Sequence, residues 1–173
     1  MDTIQDFERL IQNYSEEIFV YLWRLHYNVP DAEDDLQETF LRAFRAYPRL
    51  RDGSNPRAWL YKIATNVAYT HLKRLKRSGI RLDEIDLRSH PTQPSVLFQV
   101  EQKELLSAVW DAVQALPEKQ SAAFVMRKYQ GLSYSEIADA LQCNPDTARA
   151  NVYQALKKIL LQFPEIKYER DLF

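Results

Sequence analysis

Apolar residues recur at steps of three and four along most of this chain, interrupted by short polar stretches. Phe7, Leu10, Ile11, Tyr14, Ile18, Tyr21, Leu22 and Leu25 keep that rhythm, so residues 4–27 are expected to form an amphipathic helix. Val29-Pro30 interrupts it, and Asp31 then stands as the N-cap of a second helix ending near Tyr47-Pro48. Arg49 to Asn55 reads as a loop. Asn55-Pro56 is a cap followed by proline at the first helical position, which opens a third helix to about Arg77. Residues 79–98 lose the period and hold Pro91 and Pro94, the mark of a linker. Periodicity returns at Leu105, Ala108, Val109, Ala112, Val113 and Leu116, and Pro117 starts a further helix closing near Gly131. Ser133-Tyr134-Ser135-Glu136 is a capping box with Leu132 and Ile137 as its hydrophobic staple. That short helix ends at Leu141, and Asn144-Pro145 begins the last one, to about Phe163. The pattern predicts an all-α protein of two small helical domains, residues 1–78 and 101–173, joined by a polar linker over 79–100.

Composition narrows the class. The 173 residues are 46% hydrophobic and 12% aromatic, enough for a packed core and too apolar for wholesale disorder. Three glycines are too few for Gly-rich phosphate loops or a β-sandwich, and one cysteine excludes a disulfide framework or a multi-cysteine metal site. No apolar run reaches membrane-spanning length, and the acidic start (Asp2, Asp6, Glu8) does not suit a signal peptide. A soluble, cytoplasmic protein without membrane insertion is expected. Net charge is −1, but residues 51–78 carry seven cations against Asp52 alone, a block that suits a local polyanion contact, although a charge run by itself reads first as a solvated helix face.

Three constellations carry candidate chemistry. On the second helix Asp31, Asp34, Asp35 and Glu38 fall within one arc of about 100°, opposite Leu36, Phe40, Ala43, Phe44 and Tyr47. Acids in a first turn complement the helix dipole, which suits Glu38, two turns in, less well, and the stripe by itself is open between dipole decoration and a docking surface for a basic partner. Leu41 sits off the apolar stripe as a partly exposed contact. On the third helix Lys62, Asn66, Tyr69, Lys73 and Lys76 share a face, where cations hold phosphates while an aromatic and an amide meet unpaired bases. Trp59 and His71 fall on the core side. The third constellation is a helix–turn–helix. Ala148, Val152, Ala155 and Ile159 form the packing stripe of its longer helix, with small Ala138 at the crossing and Cys143 as a small hydrophobe in the turn. Thr147, Arg149, Ala150, Asn151, Tyr153, Gln154, Lys157 and Lys158 face outward. A glutamine amide such as that of Gln154 pairs bidentately with adenine. His26, His71 and His90 are scattered, and no metal set, activated nucleophile or phosphate loop is visible, so neither a cofactor nor enzymatic activity is expected.

In order and spacing these segments resemble the extracytoplasmic-function (ECF, group 4) sigma factors of the sigma-70 family, small transcription-initiation subunits of bacterial RNA polymerase. Asp31–Leu50 (DAEDDLQETFLRAFRAYPRL) resembles the segment that docks on the core polymerase. Trp59–Arg74 (WLYKIATNVAYTHLKR) resembles the helix that melts and reads the minus-ten element, and Leu116–Leu160 the domain that reads the minus-thirty-five element. The resemblance implies a polymerase contact at Asp34, Asp35, Gln37, Glu38, Phe40 and Leu41. It implies minus-ten contacts at Leu50, Asp52, Asn55, Lys62, Asn66, Tyr69, Lys73 and Arg74, with Asn66 and the loop from Leu50 to Asn55 around a flipped base. Minus-thirty-five contacts follow at Arg149, Ala150, Asn151, Tyr153, Gln154, Lys157 and Lys158. The implied partners are core RNA polymerase, promoter DNA and an anti-sigma factor clamped on both domains. Thr70 stands where many of the family carry Asp, and Asn151 and Gln154 where arginines are frequent. An ordinary helix–turn–helix regulator is the competing reading, but it needs neither the docking segment nor a face for unpaired bases.

Overall fold

A chain reversal at Tyr27 sets the first helix pair. The computed structural model describes residues 3–51, 53–78 and 100–164. Helix α1 (Thr3–His26) ends where Tyr27 adopts a left-handed backbone, φ 55°. Asn28 caps α2 (Val29–Ala46), its side chain accepting from the Asp31 N–H at 2.9 Å. Asp31 is therefore not the N-cap, and Val29-Pro30 opens the helix instead of breaking it. Proline costs nothing in a first turn, where its missing N–H would have no partner. A short 3-10 turn (Tyr47–Arg49) follows. Helix α3 (Pro56–Arg77) starts as its sequence predicts, with the Asn55 side chain accepting from the Ala58 N–H at 3.2 Å.

These three helices enclose Ile18, Tyr21, Leu22, Leu60, Tyr61, Ala64 and Ala68, all fully buried. Tyr21 and Tyr61 meet edge to face at 4.8 Å, and Tyr21 shares a 2.8 Å hydrogen bond with Thr65. The inward stripe of α2 differs from the expected one. It consists of Ala32, Asp35, Thr39 and Ala43, while Leu36 and Phe40 flank the core and Phe44 is 50% exposed. Small side chains at the contact let α2 approach its neighbours closely, so close packing and not side-chain volume decides which face turns in.

The second half comprises α4 (Val100–Gln114), α5 (Glu118–Lys128), α6 (Tyr134–Leu141) and α7 (Pro145–Gln162). The capping box is formed: the Glu136 N–H donates to Ser133 Oγ at 3.2 Å, and the Ser133 N–H donates to Glu136 Oε2 at 2.9 Å. Asn144 caps α7 through the Thr147 N–H at 2.7 Å. Phe124, Met126, Leu132, Ile137, Ala148, Ala155 and Ile159 are fully buried between these helices. No strand occurs among the described residues. The expected linker, apart from its last residue, lies outside them.

The two halves pack on each other, α3 against α6 and α1 against α5. Arg57, in the first turn of α3, is the clasp. Its Nε donates to Glu17 of α1 at 2.8 Å, its Nη2 to the Gln130 carbonyl at 2.8 Å, and its Nη1 reaches Glu136 Oε1 at 3.4 Å. Asn55 also donates to Glu136 Oε1. Alongside runs an aromatic seam, in which Tyr27 stacks on Trp110 and Arg24 lies 4.7 Å above the Tyr129 ring.

Glu136 thus serves α6 with one oxygen and the clasp with the other. The Ser133 N–H foremost, then its hydroxyl, Asn55 and Arg57, outweigh burial and hold the Glu136 carboxyl below the ordinary value of 4.5. A depressed pKa in the folded state gives stability that is complete above the ordinary value and is lost as pH falls through the depressed one. On acidification below 4.5, the wild type should therefore lose more stability than Glu136→Gln, as measured by denaturant midpoints. Parallel losses in the two proteins would remove Glu136 from this role.

Candidate polymerase and nucleic-acid interface

Because α2 turns its small residues inward, one acidic stripe remains outside. Asp34, Gln37 and Leu41 are exposed, Leu41 by 45%, and partly exposed Glu38 accepts from Arg42 Nε at 2.6 Å one turn on. Spacings of three, four and seven place these four side chains on one face. Phe40 instead packs against the core.

Asp35 does not belong to that stripe. It is 4% exposed, with Oδ2 at 2.6 Å from His26 Nε2 and Oδ1 at 2.9 Å from His71 Nδ1. A carboxylate removed from water must be paired, and two imidazoles from α1 and α3 do so. The two histidines are accordingly not scattered, as the sequence suggested: folding brings them onto one carboxylate. His90 lies outside the described residues.

Helix α3 presents Asn66, Thr70, Lys73 and Arg74 to solvent, with Lys62 partly exposed beside them. Of the expected minus-ten residues, Tyr69 departs from this face. Its hydroxyl donates to the Glu118 carbonyl at the start of α5, and burial pushes its pKa well up. Lys73 pairs with Glu118 at 3.2 Å. Asn55 is held as the α3 cap and by Glu136, Leu50 is half-buried, and Asp52 lies outside the described residues. The second half therefore covers one edge of the face and leaves Asn66 open.

On α7 the exposed centre is Ala150, Tyr153, Gln154 and Lys157, with Tyr153 61% exposed. Arg149 and Lys158 lie at the two rims. Arg149 pairs with Asp146 at 3.0 Å and sits 5.1 Å above the Tyr134 ring, while Lys158 donates to Gln120 at 2.9 Å. Asn151 is partly buried. Sequence reasoning missed Arg57, the second role of Glu136, and the seam of Tyr27, Trp110 and Tyr129. The only hint was an arginine set beside an α3 core position.

Two family models match the chain in tandem: "Sigma-70 region 2" over residues 10–78 and "Sigma-70, region 4" over residues 106–159. The RNA polymerase sigma-H factor of Pseudomonas aeruginosa is 30% identical over 164 residues, covering 88% of this chain and 83% of that protein. The ECF RNA polymerase sigma-E factor of Escherichia coli (strain K12) is 32% identical over 139 residues, covering 75% and 72%. Among solved structures, the sigma factor RpoE in complex with the anti-sigma factor NepR from Bartonella quintana superposes with a TM-score of 0.71 at 22% identity, covering 96% of this chain and 99% of that one. CnrH in complex with the cytosolic domain of CnrY gives 0.65 at 17%, covering 93% and 89%. These two share the fold. With both sigma regions in order, an open acidic stripe on region 2 and a capped helix–turn–helix in region 4, the chain belongs to the ECF sigma factors of the sigma-70 family, which direct RNA polymerase to promoters and initiate transcription.

Proposed function

We propose that the chain docks on core RNA polymerase through Asp34, Gln37, Glu38 and Leu41, and that docking precedes promoter reading. In this reading residues 1–78 read the minus-ten element with Asn66, Lys62, Lys73 and Arg74, joined by Tyr69 once it is released. Residues 101–173 read the minus-thirty-five element with Arg149, Ala150, Tyr153, Gln154 and Lys157. The carrying observation is that the α2 stripe stays open while Tyr69 and Lys73 are engaged by α5.

Geometry adds a requirement. Two DNA elements about twenty-five base pairs apart are separated by on the order of 85 Å at 3.4 Å per pair. Helices α3 and α6 touch, so the packed protein cannot span them. Residues 79–99 have a fully extended reach of about 70 Å, enough to let the halves part a long way. Polymerase is the partner that separates them. Because RpoE is solved in complex with the anti-sigma factor NepR, we extend that partner class to this chain as the factor that holds the closed form. Among the described residues no helix is long and apolar enough to cross a membrane. The work assigned here lies in the cytoplasm and requires no chemical step by the chain itself.

Reversing Asp34 and Glu38 to Lys should preserve the helical circular-dichroism signal and abolish co-purification with core polymerase. Retained binding by the folded double variant would refute the docking assignment. Asp35 is left intact because a buried lysine beside two histidines would disrupt the fold.

At the other end of the chain, Gln154→Ala should relax discrimination at one base of the minus-thirty-five element by about 1–3 kcal/mol. Lys157→Ala should weaken all promoters alike and lower the salt slope by about one. Transcription from a set of promoter variants separates the two. Uniform loss in both proteins would show that Gln154 is not a base reader.

A further inference from the structure

We propose that His26, Asp35 and His71 form a binding site for one divalent transition-metal ion of the zinc or cobalt class. The three side chains come from the last turn of α1, the second turn of α2 and the distal half of α3. One ligand-capable atom from each lies within 4.8 Å of the others. His26 Nε2 and His71 Nδ1 approach opposite oxygens of Asp35 at 2.6 and 2.9 Å. Bonds of about 2.0–2.1 Å in a tetrahedral site place neighbouring ligand atoms about 3.3 Å apart, so the widest separation in the group has to close by up to about 1.5 Å to admit an ion. Two imidazoles and a carboxylate are the donor set of borderline ions. Calcium and magnesium call for more oxygens.

The surroundings support this. His71 Nε2 faces Asp31 Oδ1 at 3.7 Å, and a metal-bound histidine typically directs its second nitrogen to a carboxylate, which fixes ring orientation. His26 and Asp35 are 3% and 4% exposed, so the group is shielded from bulk water on the side of those two residues. Such an ion would tie the docking helix α2 to the minus-ten helix α3. It would also stiffen the end of α1, where the His26 carbonyl accepts from Gln114 of the second half at 2.9 Å.

The test uses the full chain, stripped with chelator, loaded with zinc or cobalt chloride and passed through gel filtration. The wild type should retain one ion, show the intense visible absorption of tetrahedral cobalt, and gain a thermal midpoint that chelator reverses. His71→Gln, with an unchanged circular-dichroism signal, should lose stoichiometric retention and the cobalt spectrum. A wild type that keeps no stoichiometric ion, or a folded His71→Gln that keeps as much, overturns the site. Should His71→Gln fail to fold, imidazole resonances of the wild type decide. Zinc should shift His26 and His71 and leave His90 unmoved; no shift, or a shift at His90 alone, overturns it.

Discussion

Arg57 holds together what the rest of the arrangement depends on. Its planar fork satisfies a carboxylate on α1, a backbone carbonyl after α5 and a carboxylate on α6, all from the first turn of α3. Glu17 also accepts from the Tyr61 hydroxyl at 2.8 Å, so the clasp is rooted in the core of the first half. A lysine in its place would be a point charge unable to reach three acceptors at fixed angles. With the clasp closed, the start of α5 engages Tyr69 and Lys73 of α3, and the aromatic seam at Tyr27, Trp110 and Tyr129 lies alongside.

The rotation of α2 has equal weight for function. Had Leu36, Phe40 and Phe44 all pointed inward, Asp35 would sit beside Asp34 on the outer surface. The helix instead buries Ala32, Thr39 and Ala43, and Asp35 with them. This leaves Asp34, Gln37, Glu38 and Leu41 as a narrower outward stripe, and it exposes half of Phe44 beside Phe7.

Local signals made much of this legible. Asn55-Pro56, Ser133 with Glu136, and Asn144-Pro145 set helix starts within a few residues, because a cap is satisfied by its immediate neighbours. The Asn28 cap was missed since a proline that opens a helix and one that closes a helix look alike in sequence. Helical periodicity gave each element but could not fix the rotation of α2, where large residues flank the contact and small ones make it. The meeting of His26, Asp35 and His71, and the span from Arg57 to Gln130 and Glu136, join positions far apart in the chain. No local pattern encodes those distances. The family resemblance supplied the docking and reading segments, but it assigned Asp35 by its place in a motif, whereas its neighbours in space decide what it touches.

The covalent connection between the halves changes how strong their contact must be. Two ion pairs, a few hydrogen bonds and one aromatic seam are a modest contact for two separate domains in solution, where exposed pairs contribute about 0–1 kcal/mol each. On one chain, each half meets the other at an effective concentration in the millimolar range, so the same weak contacts keep the closed form populated. A ligand that grips one half competes against that local concentration. One that grips both halves in the closed form is aided by it, and even a modest affinity at each end then adds up to a long residence time.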